Sequence, residues 1–298
     1  MQHNLIVIAG PTASGKSDLA VQLAQYYNCP ILSSDSRQCY IELNIGVAKP
    51  TTSQLQAVPH YFVSTHSIHQ AVNAAVYEQY ALACLATLYT KHNTVILVGG
   101  TGLYINAICQ GMHAVPAIPQ EVKSHIQAQY HTHGLPWLVQ YIQANGGTYT
   151  SSNDTHNTQR MLRAAEVIAH TGLPIQHYYN QAKALRNFNM HYYALDVPRQ
   201  QLYHNINSRL QLMMQQGLLQ EAMQLHAHAH LNALNTVGYT ELFQYLNNNI
   251  SLPQAIALIQ QHTRNYAKRQ LTWFAKGNTY TWLTPANAYQ HIINQHKP

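Results

Sequence analysis

The sequence predicts an α/β fold: a parallel sheet core with helices on both faces and a helical insertion domain between its strands. Three observations predict it. The apolar run Leu5-Ile6-Val7-Ile8-Ala9 leads into Gly10-Pro11-Thr12-Ala13-Ser14-Gly15-Lys16-Ser17, which fits G-x-x-x-x-G-K-[ST] and opens a helix-like stretch. A second apolar run, residues 94–98, ends in Gly99-Gly100-Thr101-Gly102. From about Pro116 the pattern turns helical, and a strand-like segment returns only at residues 191–197.

Residues 5–9 read as a buried parallel strand because they are apolar without alternation. Residues 17–27 follow as a helix, Cys29-Pro30 punctuates, and 31–33 form a second strand, which makes a βαβ opening. Helical spacing spans 71–89 before the strand at 94–98. Residues 119–130, 135–143, 155–170 and 174–185 read as helices separated by polar loops such as 145–153. After 191–197, helices are expected over 199–217, 218–225, 240–247 and 252–276, the last with Ser251 as N-cap and Pro253 in its first turn. The domain reading is a P-loop core in two parts, 1–113 and 190–298, the second mostly helical, around a helical insertion at 114–189.

The 298 residues are enough for a large core, and they contain no run of about 18 apolar residues. The N-terminus runs straight into the first strand, so neither a membrane span nor a signal peptide is expected and the protein reads as cytoplasmic. Cys29, Cys39, Cys84 and Cys109 lack C-x-x-C pairing and read as reduced thiols. His226, His228 and His230 have no Glu or Cys at zinc spacing in a chain rich in His, Gln and Asn, and receive no site. The net charge of +6 lies wholly in the second half: residues 1–149 hold five Lys/Arg and five Asp/Glu, residues 150–298 eleven and five. That points to a polyanionic partner or to a solvated basic face.

A strand ending in a glycine-rich turn aims successive N–H groups at one anion, so residues 10–17 are expected to grip a di- or triphosphate, with Lys16 adding charge and the Ser17 hydroxyl able to hold Mg²⁺. Asp35, just past the second strand, suits a proton acceptor or a metal ligand, or else caps its own turn. Gln38 is compatible with reading an adenine edge. The 99–102 segment either lets a ligand approach the backbone, with the Thr101 hydroxyl as donor, or is a tight structural turn. Arg160 and Arg163, at i,i+3, suit a phosphate backbone or pair with Glu166 on a solvated face. Arg264, Lys268 and Arg269 cluster beside Gln270 and Trp273, a basic and aromatic mixture suited to RNA, although Trp273 is also a candidate core residue.

These motifs together resemble one family, the tRNA dimethylallyltransferases, also called isopentenyltransferases. The resemblance covers nearly the whole chain: GPTASGKS at Gly10, SSDSRQCY at Ser33, IGVAKP at Ile45, Pro59-His60, VGGTGLY at Val98, QRMLRAAEV at Gln159, the segment from Gly217, VGYTE at Val237 and YAKRQLTWF at Tyr266. It implies transfer of a dimethylallyl group from dimethylallyl pyrophosphate to N6 of adenosine 37, in tRNAs reading codons that begin with U, with release of pyrophosphate. It implies a P-loop NTPase-like sheet whose loop Gly10 to Ser17 holds the pyrophosphate with Mg²⁺ at Ser17, Asp35 as general base, Thr101 near the transfer site, and Arg209 supporting the pyrophosphate from the far side. A stacked base must be flipped to reach such a site, and the resemblance assigns the insertion to clamping the anticodon stem-loop. Matching RNA positions are Asp35, Ser36, Arg37, Gln38 and Thr101; Lys123, Gln159, Arg160, Met161, Leu162 and Arg163; Asn235, Thr236, Val237, Gly238, Tyr239 and Thr240; and Lys268, Arg269 and Gln270. A monomer is expected. The chain departs from the family pattern at Val47, Tyr61, Ser64 and Asn205.

Three other readings use the same residues. A transferase acting on free adenine nucleotide would leave the insertion and the basic half with little to do. A small-molecule kinase would use the loop for ATP and Asp35 for an alcohol. A silent RNA-binding protein would not need loop, base and Thr101 together.

Overall fold

The first strand, β1 (Asn4–Ala9), is apolar from Leu5 onward because it is central: β4 (Thr94–Gly99) pairs in parallel on one side and β5 (Asn189–Leu195) on the other. The computed structural model describes residues 3–148, 157–179 and 185–297. Outside β4 lie β2 (Ile31–Ser33) and β3 (His60–Tyr61), and outside β5 lies β6 (Thr281–Leu283), giving one all-parallel sheet in the order β3-β2-β4-β1-β5-β6. Ala9 stands opposite both Gly99 and Ala194, and Ser33 opposite Val98. Gly10, Ser34 and Gly100 therefore leave the sheet at one edge, the carboxyl edge where open parallel sheets bind ligands.

Successive side chains of a strand point to opposite faces, and both faces here are covered. Leu5, Val7 and Ala9 join a core containing α3 (Ala74–Leu88) and α4 (Gly102–Gln110), while Ile6 and Ile8 pack with α1 (Lys16–Tyr26) and the C-terminal helix 285–295. Helix α3 starts three residues later than its periodicity suggests because the Asn73 side chain accepts the N–H groups of Ala75 and Val76 at 2.9 and 3.0 Å, a cap that fixes the first turn.

The described chain divides into two compact units, Met1–Gln110 with Arg186–Pro298, and Gly111–Leu185. The second is helical: α5 (Gln120–Ala144), α6 (Thr158–Thr171) and α7 (Ile175–Tyr179) enclose a core in which Ile126, Leu138 and Ile142 meet Met161, Ala165 and Ile168. The helices expected at 119–130 and 135–143 are both present within α5, separated at Gly134, whose φ of 70° and ψ of −166° are non-helical and suit glycine, with Pro136 removing a donor just beyond. Helix α6 begins where the Asn157 side chain accepts the N–H of Arg160. Parts of the expected 145–153 loop and of the 155–170 and 174–185 helices, namely residues 149–156 and 180–184, lie outside the described residues.

After β5, which at 189–195 lies two residues earlier than expected, come α8 (Arg199–Gln215), α9 (Leu218–Leu225), α10 (Tyr239–Leu246) and α11 (Leu252–Phe274). At the start of α11, the Ser251 side chain accepts the Gln254 N–H and the Gln254 side chain accepts the Ser251 N–H, a reciprocal cap with Pro253 in the first turn. Elements that went unassigned in the sequence are β3, β6, the short capped helix α2 (Thr52–Ala57), α4, and α12 (Pro285–Gln295). Among the described residues, no helix is long and apolar enough to cross a membrane.

Glu221 on α9 is buried, and its carboxylate accepts three successive backbone N–H groups, from Asn44, Ile45 and Gly46, at 3.1, 2.8 and 2.9 Å, together with the Tyr239 hydroxyl at 2.5 Å. It fixes a loop that has no regular structure of its own. Glu221→Ala should lower the unfolding free energy by roughly 1–3 kcal/mol for each donor that stays buried and unsatisfied. Urea unfolding measures this, and a loss below about 0.5 kcal/mol would mean that water replaces the carboxylate.

Candidate active site

The phosphate-binding turn follows directly from β1. Gly10 and Gly15 take φ of 152° and 87°, which glycine tolerates, and Ala13 sits at φ 64° between them. Lys16 Nζ folds back onto the Pro11 carbonyl at 3.0 Å. The Thr12 N–H donates to Gln270 Oε1 at 2.8 Å, and the Arg209 guanidinium approaches the Thr12 hydroxyl at 3.4 Å. Asn205, where the family pattern has arginine, donates from Nδ2 to the Ala13 carbonyl at 3.1 Å and so braces the same turn. Burial, then the neighbouring Arg209 charge, brings the Lys16 ammonium down to about 8, with Asp35 opposing. Two cations crowded into one partly desolvated turn favour an anion there. Ser17 is exposed in the first turn of α1, beside the cavity that the loop lines.

Asp35 follows β2 in a tight turn. Its Oδ1 accepts the N–H groups of Arg37 and Gln38 at 2.8 and 3.2 Å, so the turn-capping reading holds for that oxygen. The second oxygen has no protein partner among the described residues. Thr101 stands alongside: its hydroxyl accepts the Ser36 N–H at 3.2 Å and its N–H donates to the Ser34 carbonyl at 3.3 Å. The glycines around it have a steric reason, since a Cβ on Gly99 would lie 2.3 Å from Ser34 Oγ and one on Gly100 2.1 Å from Gln270 Nε2.

Two adjoining cavities share Thr12, Asp35, Arg209 and Tyr266 in their walls. The larger, about 620 Å³, is lined by the phosphate loop from Thr12 to Ser17. The smaller, about 360 Å³, has an apolar wall of Val47, Ile206, Leu210, Met213, Leu218 and Ile259 and a polar mouth that includes Asn235, Thr236, Gly238 and Arg269. Such a pair suits a ligand with one anionic and one hydrocarbon end. Tyr266, which sequence reasoning quoted in a motif without giving it a role, faces both cavities. Burial, with the Asp35 carboxylate adding to it, pushes its hydroxyl up to about 12, so it stays protonated. Its spacing of four from Gln270 on one helix was the available signal.

The remaining sequence-derived positions separate by burial. Lys268 and Arg269 are exposed on α11, the latter with its guanidinium 5.7 Å from the Tyr266 ring. Arg264 donates to Asn207 Oδ1 at 3.1 Å and lies, with Arg199, over the Tyr203 ring at 5.8 and 5.2 Å, a basic and aromatic patch that the sequence did not single out. Trp273 is 40 % exposed, which corrects its reading as a core residue. Gln159 and Arg160 are exposed on α6 and Lys123 is half-buried on α5. Arg163 is partly engaged, donating to the Pro116 carbonyl at 3.3 Å and lying 3.7 Å from Glu166. Met161, Leu162, Tyr239 and Gln270 are buried, so their side chains hold the fold and are closed to an RNA contact. Thr240 spends its hydroxyl on the Thr236 carbonyl at 3.0 Å. The Gln38 amide is also engaged, donating to the Ala48 carbonyl at 2.9 Å and accepting from Ser33 Oγ at 3.3 Å, which removes it from reading an adenine edge.

The model of the IPP transferase family matches residues 38–277. A tRNA dimethylallyltransferase of Phocaeicola vulgatus is 40% identical over 299 residues, covering 99% of this chain and 100% of that protein. One from Bacteroides fragilis is 40% identical over 281 residues, covering 94% and 93%. The crystal structure of a tRNA isopentenylpyrophosphate transferase from Bacillus halodurans superposes with a TM-score of 0.73 at 28% identity, covering 99% of this chain and 95% of that one. A eukaryotic dimethylallyltransferase acting on tRNA shares the fold, with a TM-score of 0.82 at 22% identity over 98% of this chain and 78% of that one. A parallel sheet carrying a phosphate loop and a carboxylate turn on one edge, matched over nearly its whole length by these relatives, places the chain in the IPP transferase family, the tRNA dimethylallyltransferases.

Proposed function

We propose that this protein moves the dimethylallyl group of dimethylallyl pyrophosphate to N6 of adenosine 37 in tRNAs reading codons that begin with U, releasing pyrophosphate. The observation that carries the chemistry is the sharing of Asp35 and Arg209 by the loop-lined cavity and the apolar one. The pyrophosphate end fits the N–H groups of the loop, Lys16 and Arg209; the five-carbon chain fits the wall of Leu210, Met213 and Leu218. Adenine N6 attacks C1 of the prenyl group, the C1–O bond breaks with its electron pair leaving on pyrophosphate, and the N6 proton passes to the unengaged oxygen of Asp35. Lys16 and Arg209 stabilise the charge that grows on the leaving oxygen. The Tyr266 hydroxyl, kept protonated, adds a donor at the boundary of the two cavities.

Mg²⁺ fits this site as a partner of the leaving group. The described residues contain no cluster of three His, Cys, Asp or Glu able to cage an ion, and Mg²⁺ commonly takes most of its oxygens from phosphate and water with one or two from protein. The exposed Ser17 hydroxyl is the protein oxygen best placed for it, and the ion would neutralise pyrophosphate charge. On this reading the protein is a monomer acting on cytoplasmic tRNA. The exposed Gln159 and Arg160, with Lys268 and Arg269, supply cations and donors for the anticodon stem-loop.

The deciding assay offers labelled dimethylallyl pyrophosphate with tRNA, AMP or a small alcohol, and ATP with the same acceptors. Label in tRNA alone is expected; consumption of AMP, or phosphoryl transfer from ATP to the alcohol, contradicts the reading. Asp35→Asn should lower single-turnover transfer by ~10²–10⁴-fold while tRNA affinity stays within a few-fold, because proton removal is lost and docking is not. Transfer within a few-fold of wild type would remove Asp35 from the base role.

The Lys16 ammonium, lowered from 10.5 to about 8, is present below that pH and is lost above it. Donor affinity should therefore weaken as pH rises through about 8, with a slope approaching about tenfold per unit. Binding above that pH should take up a proton, because the bound anion favours the charged lysine. Calorimetry in two buffers of different ionisation enthalpy reads the uptake directly; a pH-independent affinity with no proton exchange would place the pyrophosphate away from Lys16.

A further inference from the structure

Two residues of the base-bearing turn spend their side chains on backbone, and the backbone they hold belongs to the two loops that wall the smaller cavity. Arg37 Nη1 donates to the carbonyls of Asn232 and Ala233 at 2.9 and 3.2 Å, and its Nη2 to that of Asn235 at 3.1 Å. Residues 235–238, which line the cavity, follow at once. Gln38 Nε2 donates to Ala48 and Val47, at 2.9 and 3.4 Å, on the loop at 46–48 that forms another part of the lining. Between these contacts stands Asp35, whose Oδ1 is held by the N–H groups of the same two residues, Arg37 and Gln38.

We infer that Arg37 and Gln38 are positioning residues: they fix both walls of the cavity relative to the Asp35 carboxylate, and do not read the RNA. The inference rests on the transfer reading above and deepens it at the same site. A guanidinium donating to three backbone carbonyls is committed to the protein, and turning it to a phosphate would leave three carbonyls to find other donors. The Gln38 amide is committed in the same way. Both walls are otherwise irregular backbone, anchored from behind by Glu221 at 44–46 and by the Gly238 N–H donating to Glu241 Oε2 at 2.8 Å. The side chains of Arg37 and Gln38 link these loops directly to the turn that carries Asp35. Misplacement of a base by about 1 Å is enough to cost ~10²-fold in rate.

The substitution Arg37→Lys separates the alternatives, because it keeps the charge and removes the planar fork. A phosphate contact tolerates lysine; three simultaneous carbonyl bonds at fixed angles do not. With wild-type protein transferring label to tRNA as the control, Arg37→Lys and Arg37→Gln are compared for kcat at saturating tRNA, for tRNA affinity and for the dependence of that affinity on salt. The inference predicts a loss of ~10²-fold in kcat for both variants, with affinity within about threefold of wild type and an unchanged salt slope. Retained kcat in the lysine variant, or a salt slope in the glutamine variant lower by about 0.7–0.9, would overturn it and return Arg37 to the RNA. Gln38→Met, which keeps the length of the side chain and deletes its donors, makes the same test from the other wall and stands in if the Arg37 variants do not fold: kcat should fall at unchanged affinity, and weaker tRNA binding at unchanged kcat would overturn the inference. Failure of wild type to modify tRNA would instead refute the transfer reading itself.

Discussion

The side chain of Gln270 joins three parts of the chain that are remote in sequence. From one buried amide it accepts the Thr12 N–H of the phosphate loop and donates to the Gly100 carbonyl at 2.9 Å, while itself sitting on helix α11. Both partners of a buried primary amide must be present for its burial to be tolerated, so the loop after β1, the loop after β4 and the long C-terminal helix adopt their geometry together. Gly100 is glycine because any Cβ there would meet that amide. The helix in turn delivers Tyr266 and Arg269 to the cavities, four residues and one residue from the amide along its length. The active-site edge is thus tied across the sheet by hydrogen bonds, and apolar packing of the strands supplies the platform beneath.

On that platform the same economy recurs. Irregular loops that wall the cavities would each carry several unpaired backbone groups, and these are met by polar side chains from elsewhere: Glu221 for residues 44–46, Asn205 for Ala13, Arg37 for residues 232–235. The result is a site whose loops are held by hydrogen bonds, with Lys16 and Arg209 kept close to one another in readiness for an anion. Substrate charge completes what the protein leaves repulsive.

The parts of this architecture that depend on local pattern could be read in advance. The phosphate loop, the strand before it, the Asp35 turn and the capped helix at 252 announce themselves through adjacent residues, as buried parallel strands and N-caps do. The short edge strands at 60–61 and 281–283 could not, because two or three residues carry no period and owe their form to the neighbouring strand. The break at Gly134 could be seen, because glycine and Pro136 fall between two stretches of helical spacing. At the site, residue type alone gave the wrong employment for several polar groups. Gln38 and Gln270 are both amides in a motif near RNA-binding positions, and only their burial and partners reveal that they bind backbone. The Tyr203 patch escaped notice because its significance is a matter of which side chains meet between α8 and α11, and Tyr266 because its neighbours Asp35 and Thr101 come from distant loops.

The central claim is that one edge of the sheet presents the pyrophosphate and the adenine base to each other, with Asp35 between them. A crystal structure of the protein with an anticodon stem-loop and a thiol-bridged, unreactive analogue of dimethylallyl pyrophosphate tests it most directly. The account predicts pyrophosphate oxygens on the N–H groups of residues 12–17, the flipped adenine with N6 about 3–3.5 Å from C1 of the prenyl group, and an Asp35 oxygen about 2.6–3.2 Å from N6. An adenine that enters elsewhere, or an N6 whose nearest acceptor is not Asp35, would contradict it.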